Sequence, residues 1–102
     1  MEDKDLQIIM SLIVNAGNAK SDAMEAIQFS KEKNFELADR KIKDAENALV
    51  AAHHSQTSLL IDEAKGDHKN LTLLAVHSQD HLMTAIAFTD LAKEIIAIYR
   101  NL

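Results

Sequence analysis

Apolar residues recur at intervals of three and four positions along most of the chain. That spacing places them on one face of an α-helix, which completes a turn in about 3.6 residues. Two polar stretches, 31–34 and 66–70, interrupt the pattern, so three helices are predicted near 4–32, 35–65 and 71–100. The predicted inward-facing positions are Leu6, Ile9, Ile13, Ala16, Ala23 and Ile27 in the first helix; Ala38, Ile42, Ala45, Leu49, Ala52, Gln56 and Leu59 in the second; and Leu74, His77, His81, Ala85, Phe88, Ala92, Ile95 and Tyr99 in the third.

Residue usage also favours helices over strands. The chain has no proline, two glycines and fifteen alanines, a profile that suits helix interiors. Asn34, which tolerates left-handed backbone, is expected to close the first break. Gly66 is expected to end the second helix and Asn70 to cap the third. The predicted fold class is all-α: an antiparallel three-helix bundle that runs up, down and up.

The first and third helices carry more apolar surface than one core stripe needs. Helices of about 30 residues are roughly 45 Å long, so the bundle is expected to be a slender rod with a high surface-to-volume ratio. Contiguous exposed apolar surface generally marks an interface, and part of it is therefore expected to meet another copy of the chain. The residues that need this cover are Ile8, Leu12, Val76, Leu82, Ile86, Ile96 and Ile98.

Length and composition limit the function classes. A chain of 102 residues is expected to form one domain, 1–102. The net charge of −5, without a basic cluster, disfavours nucleic acid and anionic membranes as partners. There is no cysteine for a disulfide or thiolate metal site, and no apolar run approaches the roughly 18 residues of a membrane span. Because the acidic N-terminus is unlike a signal peptide, a cytoplasmic location is expected.

Polar side chains interrupt the apolar pattern of the third helix. With His77 as the origin and about 100° per residue, Asp80 lies at about −60° and His81 at about +40°. Thr84 falls between them, at about −20°. Each desolvated polar group costs free energy unless it finds a partner, so this placement indicates a specific role.

The residues alone leave three interpretations open. The polar groups could hydrogen-bond to one another and fix the register of a structural or adaptor bundle. They could bind a metal, although the pair lacks the adjacent Glu of a zinc-binding HExxH motif and has Ser78 and Gln79 beside it instead. No Glu-x-x-His of the ferritin-like kind occurs either. Alternatively, His77 could be a nucleophile for a phosphoryl group, with His81, Gln79 and Thr84 compensating the added charge.

Three segments resemble a known family. Residues 77–84 read HSQDHLMT after LLAV, which is similar to the signature of the IIA component of the lactose/cellobiose class of the phosphoenolpyruvate-dependent sugar phosphotransferase system. Residues 13–21, IVNAGNAKS, resemble the first-helix pattern of that family, and residues 52–57, AHHSQT, resemble its second-helix pattern. The resemblance covers essentially the whole chain in order.

The resemblance implies a homotrimer, a nine-helix bundle in which the active histidine lies in a cleft between subunits. It implies that His77 accepts a phosphoryl group from the carrier HPr and passes it to a cysteine of the cognate IIB protein for disaccharide uptake. His81 and Gln79 match the supporting positions beside it. Asp80 matches a residue that binds a divalent metal on the trimer axis. Mg²⁺, one per trimer, is expected there because an all-oxygen site suits a hard cation.

Two residues depart from the family pattern, and three further histidines could contribute to the site. Lys20 stands where Arg is common in the family, and Asn18 where an acidic residue is common; both leave the 77–84 segment intact. His53 and His54 are adjacent, so at most one can face the third helix. His53 is therefore a candidate to line the cleft, and the alternative is an ordinary packed or solvated histidine. His68 is expected to be solvated.

Overall fold

The computed structural model describes residues 3–67 and 71–102. It contains three helices, α1 (Asp3–Lys31), α2 (Phe35–Ala64) and α3 (Leu73–Arg100). They pack side by side, up, down and up, into a rod of 52 × 20 × 19 Å. The predicted all-α class and three-helix bundle are confirmed. The helix bounds agree with the predicted ones to within two residues.

The turn between α1 and α2 differs from the prediction in one detail. Lys33, not Asn34, adopts the left-handed backbone, with φ of 61°. Asn34 instead caps α2: its side-chain oxygen accepts a hydrogen bond from the Leu37 backbone N–H at 3.3 Å. The short polar side chain is used for capping because α2 begins at the next residue and its first N–H groups need acceptors.

The break between α2 and α3 contains the glycine that was predicted to end α2. Gly66 has a φ of 93° just after α2, a conformation that glycine adopts without a steric penalty. Thr72 caps α3 by accepting a hydrogen bond from the Ala75 N–H at 3.1 Å. The predicted cap, Asn70, and the loop histidine, His68, lie outside the described residues.

Alanines dominate the face of α1 that packs against the other two helices. Their small side chains let the neighbouring helices approach closely, and the larger buried residues fill the space at either end. One cluster consists of Ala19, Ala23, Ala26, Ile42, Ala45, Ala92 and Ile96, and a second of Leu12, Ala52 and Leu82. The inward face predicted for α2 is largely correct, since Ala38, Ile42, Ala45 and Ala52 are buried.

The inward face predicted for α3 is partly wrong. The buried residues are Ser78, Leu82, Ala85, Thr89, Ala92 and Ile96. Of the predicted face only Ala85 and Ala92 are buried, whereas His77 and Ile95 are exposed. Leu82 and Ile96, which were assigned to the surplus apolar surface, form the core instead. Because α3 is apolar on both sides, its periodicity does not by itself identify the inward side.

Polar contacts join the helices along the surface of the rod. Lys93 pairs with Glu46 at 3.0 Å, linking α3 to α2. At the end of α3, the Arg100 guanidinium pairs with Asp39 at 2.6 Å and lies 4.8 Å from the centre of the Phe35 ring. Exposed ion pairs of this kind add little stability.

Thr89 offers a test of the core. Its hydroxyl is buried in α3 and has no hydrogen-bond partner among the described residues. We expect Thr89→Val, which keeps the shape and removes the unsatisfied hydroxyl, to raise the free energy of unfolding by about 1 kcal/mol. Urea denaturation at fixed protein concentration measures this change. The matched variant Thr89→Ser keeps the hydroxyl and loses the methyl group, so it should be less stable; a destabilised Thr89→Val would contradict the assignment.

Candidate functional site

The centre of the candidate site is a pair of imidazoles on α3. His77 and His81 are one helical turn apart, and their rings stack with centroids 5.6 Å apart and planes inclined by 12°. His77 is exposed and His81 is half-buried. The outer ring is therefore open to solvent, while the inner one supports it from the side of the bundle.

Gly17 of α1 makes room for the inner ring. A Cβ atom added at Gly17 would lie 3.5 Å from Nε2 of His81, so the imidazole rests against the backbone of α1. A long side chain at this position would occupy the space of the ring. At this point α1 contributes Gly17, which has no side chain, and α3 contributes the flat imidazole of His81.

The surroundings favour a neutral His81. Burial lowers the pKa of His81 below its ordinary value, and the nearby charges of Lys20 and His77 lower it further. The Asp80 carboxylate acts in the opposite direction, and its effect is smaller than that of burial. A neutral imidazole keeps one nitrogen lone pair and one N–H, so it can orient a neighbouring ring without adding charge.

Asp80 and Thr84 do not join a buried polar network. Both side chains are exposed, and the Thr84 hydroxyl donates a hydrogen bond to the His81 backbone carbonyl at 3.1 Å within its own helix. The interpretation in which these groups bond to one another across a single bundle is therefore not supported. They belong to the outer side of α3, together with exposed Leu73 and Leu91.

Gln79 lies on another side of α3. Two residues correspond to about 200° of rotation, so its side chain extends away from that of His77. Its Oε1 accepts a hydrogen bond from Nε2 of Gln56 on α2 at 2.7 Å. The supporting role of Gln79 stays a prediction, and within one chain it would have to act indirectly.

His53 and His54 are both exposed on α2. The stacked pair faces α1 through Gly17, whereas α2 meets α3 along the flank that carries Gln79. Within one chain, His53 therefore does not join the pair. The prediction that it lines a cleft between chains is untested.

One chain does not form a metal centre in the part that the structure describes. No group of three or more His, Cys, Asp or Glu side chains converges within residues 3–67 and 71–102. Asp80 could contribute to a cation site only with ligands from other copies. In the same ranges, no helix is both long and apolar enough to cross a membrane.

The three-helix fold and the histidine-bearing segment of α3 match a known family of proteins. A model of the family described as "PTS system, Lactose/Cellobiose specific IIA subunit" matches residues 7–100. The chain belongs to this family, which confirms the resemblance predicted from the sequence.

Relatives and solved structures agree over nearly the full chain. The lichenan-specific phosphotransferase enzyme IIA component of Bacillus subtilis is 45% identical over 102 residues, covering 100% of this chain and 93% of the relative. The crystal structure of the cellobiose-specific enzyme IIA from Bacillus anthracis superposes with a TM-score of 0.95 at 44% identity, covering 99% and 93% of the two chains. A solution structure from the N,N'-diacetylchitobiose branch of the Escherichia coli system, which contains IIA(Chitobiose) in complex with HPr, matches with a TM-score of 0.84 at 32% identity, covering 99% and 97%.

The structure adds to the site two residues whose roles the sequence did not reveal. Gly17 and Lys20 belong to the segment that resembles the family. Neither the approach of Gly17 to the His81 ring nor the effect of Lys20 on the pKa of His81 was predicted. A signal for Gly17 was present, because a lone glycine inside a helical pattern usually reflects close packing or function. For Lys20 the only signal was its place where Arg is common in the family, because spacing along α1 does not show which residue of α3 it meets.

Gly17 provides a test of the packing that holds the pair. We expect Gly17→Ala to be tolerated, because 3.5 Å is an ordinary van der Waals distance, and to raise helix stability by about 1 kcal/mol. Gly17→Leu should displace the His81 ring and disrupt the stack. NMR chemical shifts of the His77 and His81 rings report both results. Unchanged ring shifts in Gly17→Leu would show that the imidazole does not rest against α1.

Proposed function

We propose that this chain is a phosphocarrier that accepts a phosphoryl group from phospho-HPr on His77 and passes it to a cysteine of the cognate IIB component for disaccharide uptake. The observation that carries the proposal is the exposed His77 ring, stacked on the half-buried His81 in a member of the IIA family. A cytoplasmic location accords with this exchange between protein partners and stays a prediction.

The transfer requires one nucleophilic nitrogen. A lone pair on a His77 ring nitrogen forms a bond to phosphorus, while the bond from phosphorus to its donor atom on HPr breaks and leaves its electron pair on that atom. In the second transfer, a cysteine thiolate of IIB attacks phosphorus and the His77 nitrogen departs with the pair. Exposure of His77 lets the two partners approach in turn.

His81 and Gln79 are supporting groups in this proposal. His81 stacks on His77 and limits the orientations of the reacting ring, which favours the geometry for in-line attack. Gln79 is tied to Gln56, so it would act by fixing α2 against α3 or by reaching the histidine of another copy. HPr is proposed as the donor because a similar IIA protein, 32% identical, has been solved in complex with it.

We further propose that the chain assembles as a homotrimer. The outer side of α3 bears large apolar residues, among them Leu73 with 86% and Leu91 with 63% of its surface exposed. A second apolar stripe, on α1, borders an open depression of about 490 Å³ lined by Leu6, Gln7, Met10, Ser11, Val14 and Asn15. Contiguous apolar surface of this kind is typical of an interface, and symmetric association would cover it.

Asp80 is proposed to hold a divalent cation, Mg²⁺ by preference, between three copies. It is exposed on the same outer side of α3 and would supply only carboxylate oxygens, the donors that a hard cation prefers. When bound, the cation would neutralise carboxylates that otherwise repel one another in a poorly solvated place.

The nucleophile is tested by replacing each ring of the pair. His77→Ala should abolish phosphoryl acceptance from phospho-HPr while the helix content stays unchanged, because the exposed ring contributes little to packing. His81→Ala should retain transfer at a rate lowered about 10- to 100-fold, as expected for loss of an orienting group. Intact mass spectrometry at neutral or alkaline pH follows the phosphoryl adduct. Undiminished phosphorylation of His77→Ala would refute the assignment and leave an adaptor bundle as the alternative.

Asp80 is tested by charge removal. In Asp80→Leu the repelling carboxylates are gone, so light scattering should show a trimer, and its thermal stability should equal or exceed that of the wild type. The wild type, in contrast, should lose stability when EDTA removes the cation, whereas the variant should not respond. The axial-cation idea fails if the wild type ignores EDTA and Asp80→Leu dissociates into monomers. A wild-type monomer at micromolar concentration would refute the trimer itself.

A further inference from the structure

A hydrogen bond between Gln56 and Gln79 joins α2 to the part of α3 that carries the histidines. Nε2 of Gln56 donates to Oε1 of Gln79 at 2.7 Å, and both side chains are half-buried. Gln79 lies between His77 and His81 along α3, two residues from each. Because a hydrogen bond weakens steeply with distance and angle, this bond limits the rotation of the Gln79 carboxamide.

The direction of the bond determines what Gln79 can still offer to another molecule. A carboxamide has an oxygen that accepts hydrogen bonds and an NH2 group that donates them. The Gln79 oxygen is engaged by Gln56, so the NH2 group is the end that remains. Its nitrogen makes no hydrogen bond within residues 3–67 and 71–102, and it is not sealed from solvent, so an arriving acceptor can reach it.

A phosphoryl group has the chemistry that complements this NH2 group. Its charged oxygens accept hydrogen bonds, so they are stabilised by N–H donors and repelled by a carbonyl oxygen. A Gln79 carboxamide turned end for end would present its carbonyl oxygen instead. The bond from Gln56 therefore keeps available the end of Gln79 that suits a phosphoryl group.

The histidine that Gln79 can serve belongs to another copy of the chain. His77 and Gln79 are about 160° apart around the axis of α3, so their side chains extend to different sides of the helix. In a cyclic trimer, each chain contacts its two neighbours through different surfaces. One α3 helix can accordingly present His77 to one neighbour and Gln79 to the other.

We propose that Gln56 is a positioning residue, which fixes the Gln79 carboxamide so that its NH2 group donates to the oxygens of a phosphoryl group on His77 of a neighbouring copy. The inference rests on the proposed phosphocarrier function and on the proposed trimer. No covalent bond changes at either carboxamide, and no proton moves. The added hydrogen bond stabilises the phosphorylated form of this protein relative to phospho-HPr.

A double-mutant cycle on the partition of the phosphoryl group tests the proposal. Phospho-HPr is mixed with an equimolar amount of the purified protein, and intact masses give the phosphorylated fraction of each at equilibrium. Gln79→Met should shift the equilibrium towards phospho-HPr by about tenfold, the scale of a hydrogen bond to a charged group. Gln56→Met should shift it by about threefold, because the untied carboxamide spreads over several rotamers. The double variant should equal Gln79→Met alone, since Gln56 acts only through Gln79.

Reversing the bond gives a second readout. Gln56→Glu offers only acceptor oxygens, so it binds the Gln79 NH2 group and withdraws it from the phosphoryl group. The shift should then reach about tenfold. In the Gln79→Met background, where no carboxamide remains to be turned, Gln56→Glu should add little. Glu46→Gln, which removes the exposed link from α2 to Lys93, is the matched control and should leave the partition unchanged.

Mixed assemblies test the contact between copies. Gln79→Met is co-expressed with an excess of His77→Ala, which cannot carry the group but retains Gln79. The neighbours then supply the missing donor, so the partition measured on the Gln79→Met chains should return towards that of the wild type. No recovery in these mixed assemblies shows that Gln79 does not act between copies.

Three further results would overturn the proposal. An unchanged partition in Gln79→Met shows that Gln79 only ties the helices together. A double variant whose shift is the product of the two single shifts shows that Gln56 acts without Gln79. An effect of Gln56→Glu that persists in full in the Gln79→Met background is an effect of added charge.

Folding and function are checked separately from positioning. Circular dichroism and light scattering compare the fold and assembly of each variant with those of the wild type, and Gln56→Leu replaces Gln56→Met if that variant unfolds. A wild type that takes up no phosphoryl group refutes the phosphocarrier function itself, which is a separate result.

Discussion

Close approach of the helices along α1 is the constraint on which the rest of the structure depends. Fully buried alanines on α1, such as Ala16 and Ala23, keep α2 and α3 near its axis. At the level of the histidines Gly17 contributes no side chain, which leaves room for an imidazole ring against the backbone of α1. The His81 ring fills the space, and His77 stacks on it from outside. The packing of the bundle and the geometry of the site therefore have one origin.

The sequence predicts the number, order and bounds of the helices well, because polar breaks and caps act locally. Gly66 ends α2 as expected, since few other residues adopt its backbone conformation without strain. The inward side of α3 was harder to predict. Leu82 packs in the core while Leu91 is exposed, although both belong to apolar stripes of the same helix. Which stripe faces inward depends on α1 and α2, and periodicity within α3 contains no such information.

The candidate site shows the same division between local and tertiary information. The family segment identifies His77 and His81 as a pair, and one-turn spacing alone brings their rings together. The rotation of α3 within the bundle determines the partner of Gln79. Gln79 accepts a hydrogen bond from Gln56 on α2, away from His77. The effect of Lys20 on the pKa of His81 likewise depends on the register of α1 against α3. Such cross-helix relations are absent from a single sequence read in isolation.

His77 lies at the boundary between the packed side of α3 and its exposed apolar side. Its inner neighbour, His81, belongs to the packed bundle, whereas Asp80 and Leu73 belong to the exposed apolar side. If copies associate through that side, as proposed, the edge that carries His77 becomes the rim of the contact rather than its centre. A rim position keeps the ring accessible to protein partners while lowering the local solvent exposure, and electrostatic contacts with a bound anion strengthen as water is excluded. Assembly would thus strengthen electrostatic contacts with a group bound at His77 without moving any residue within the chain.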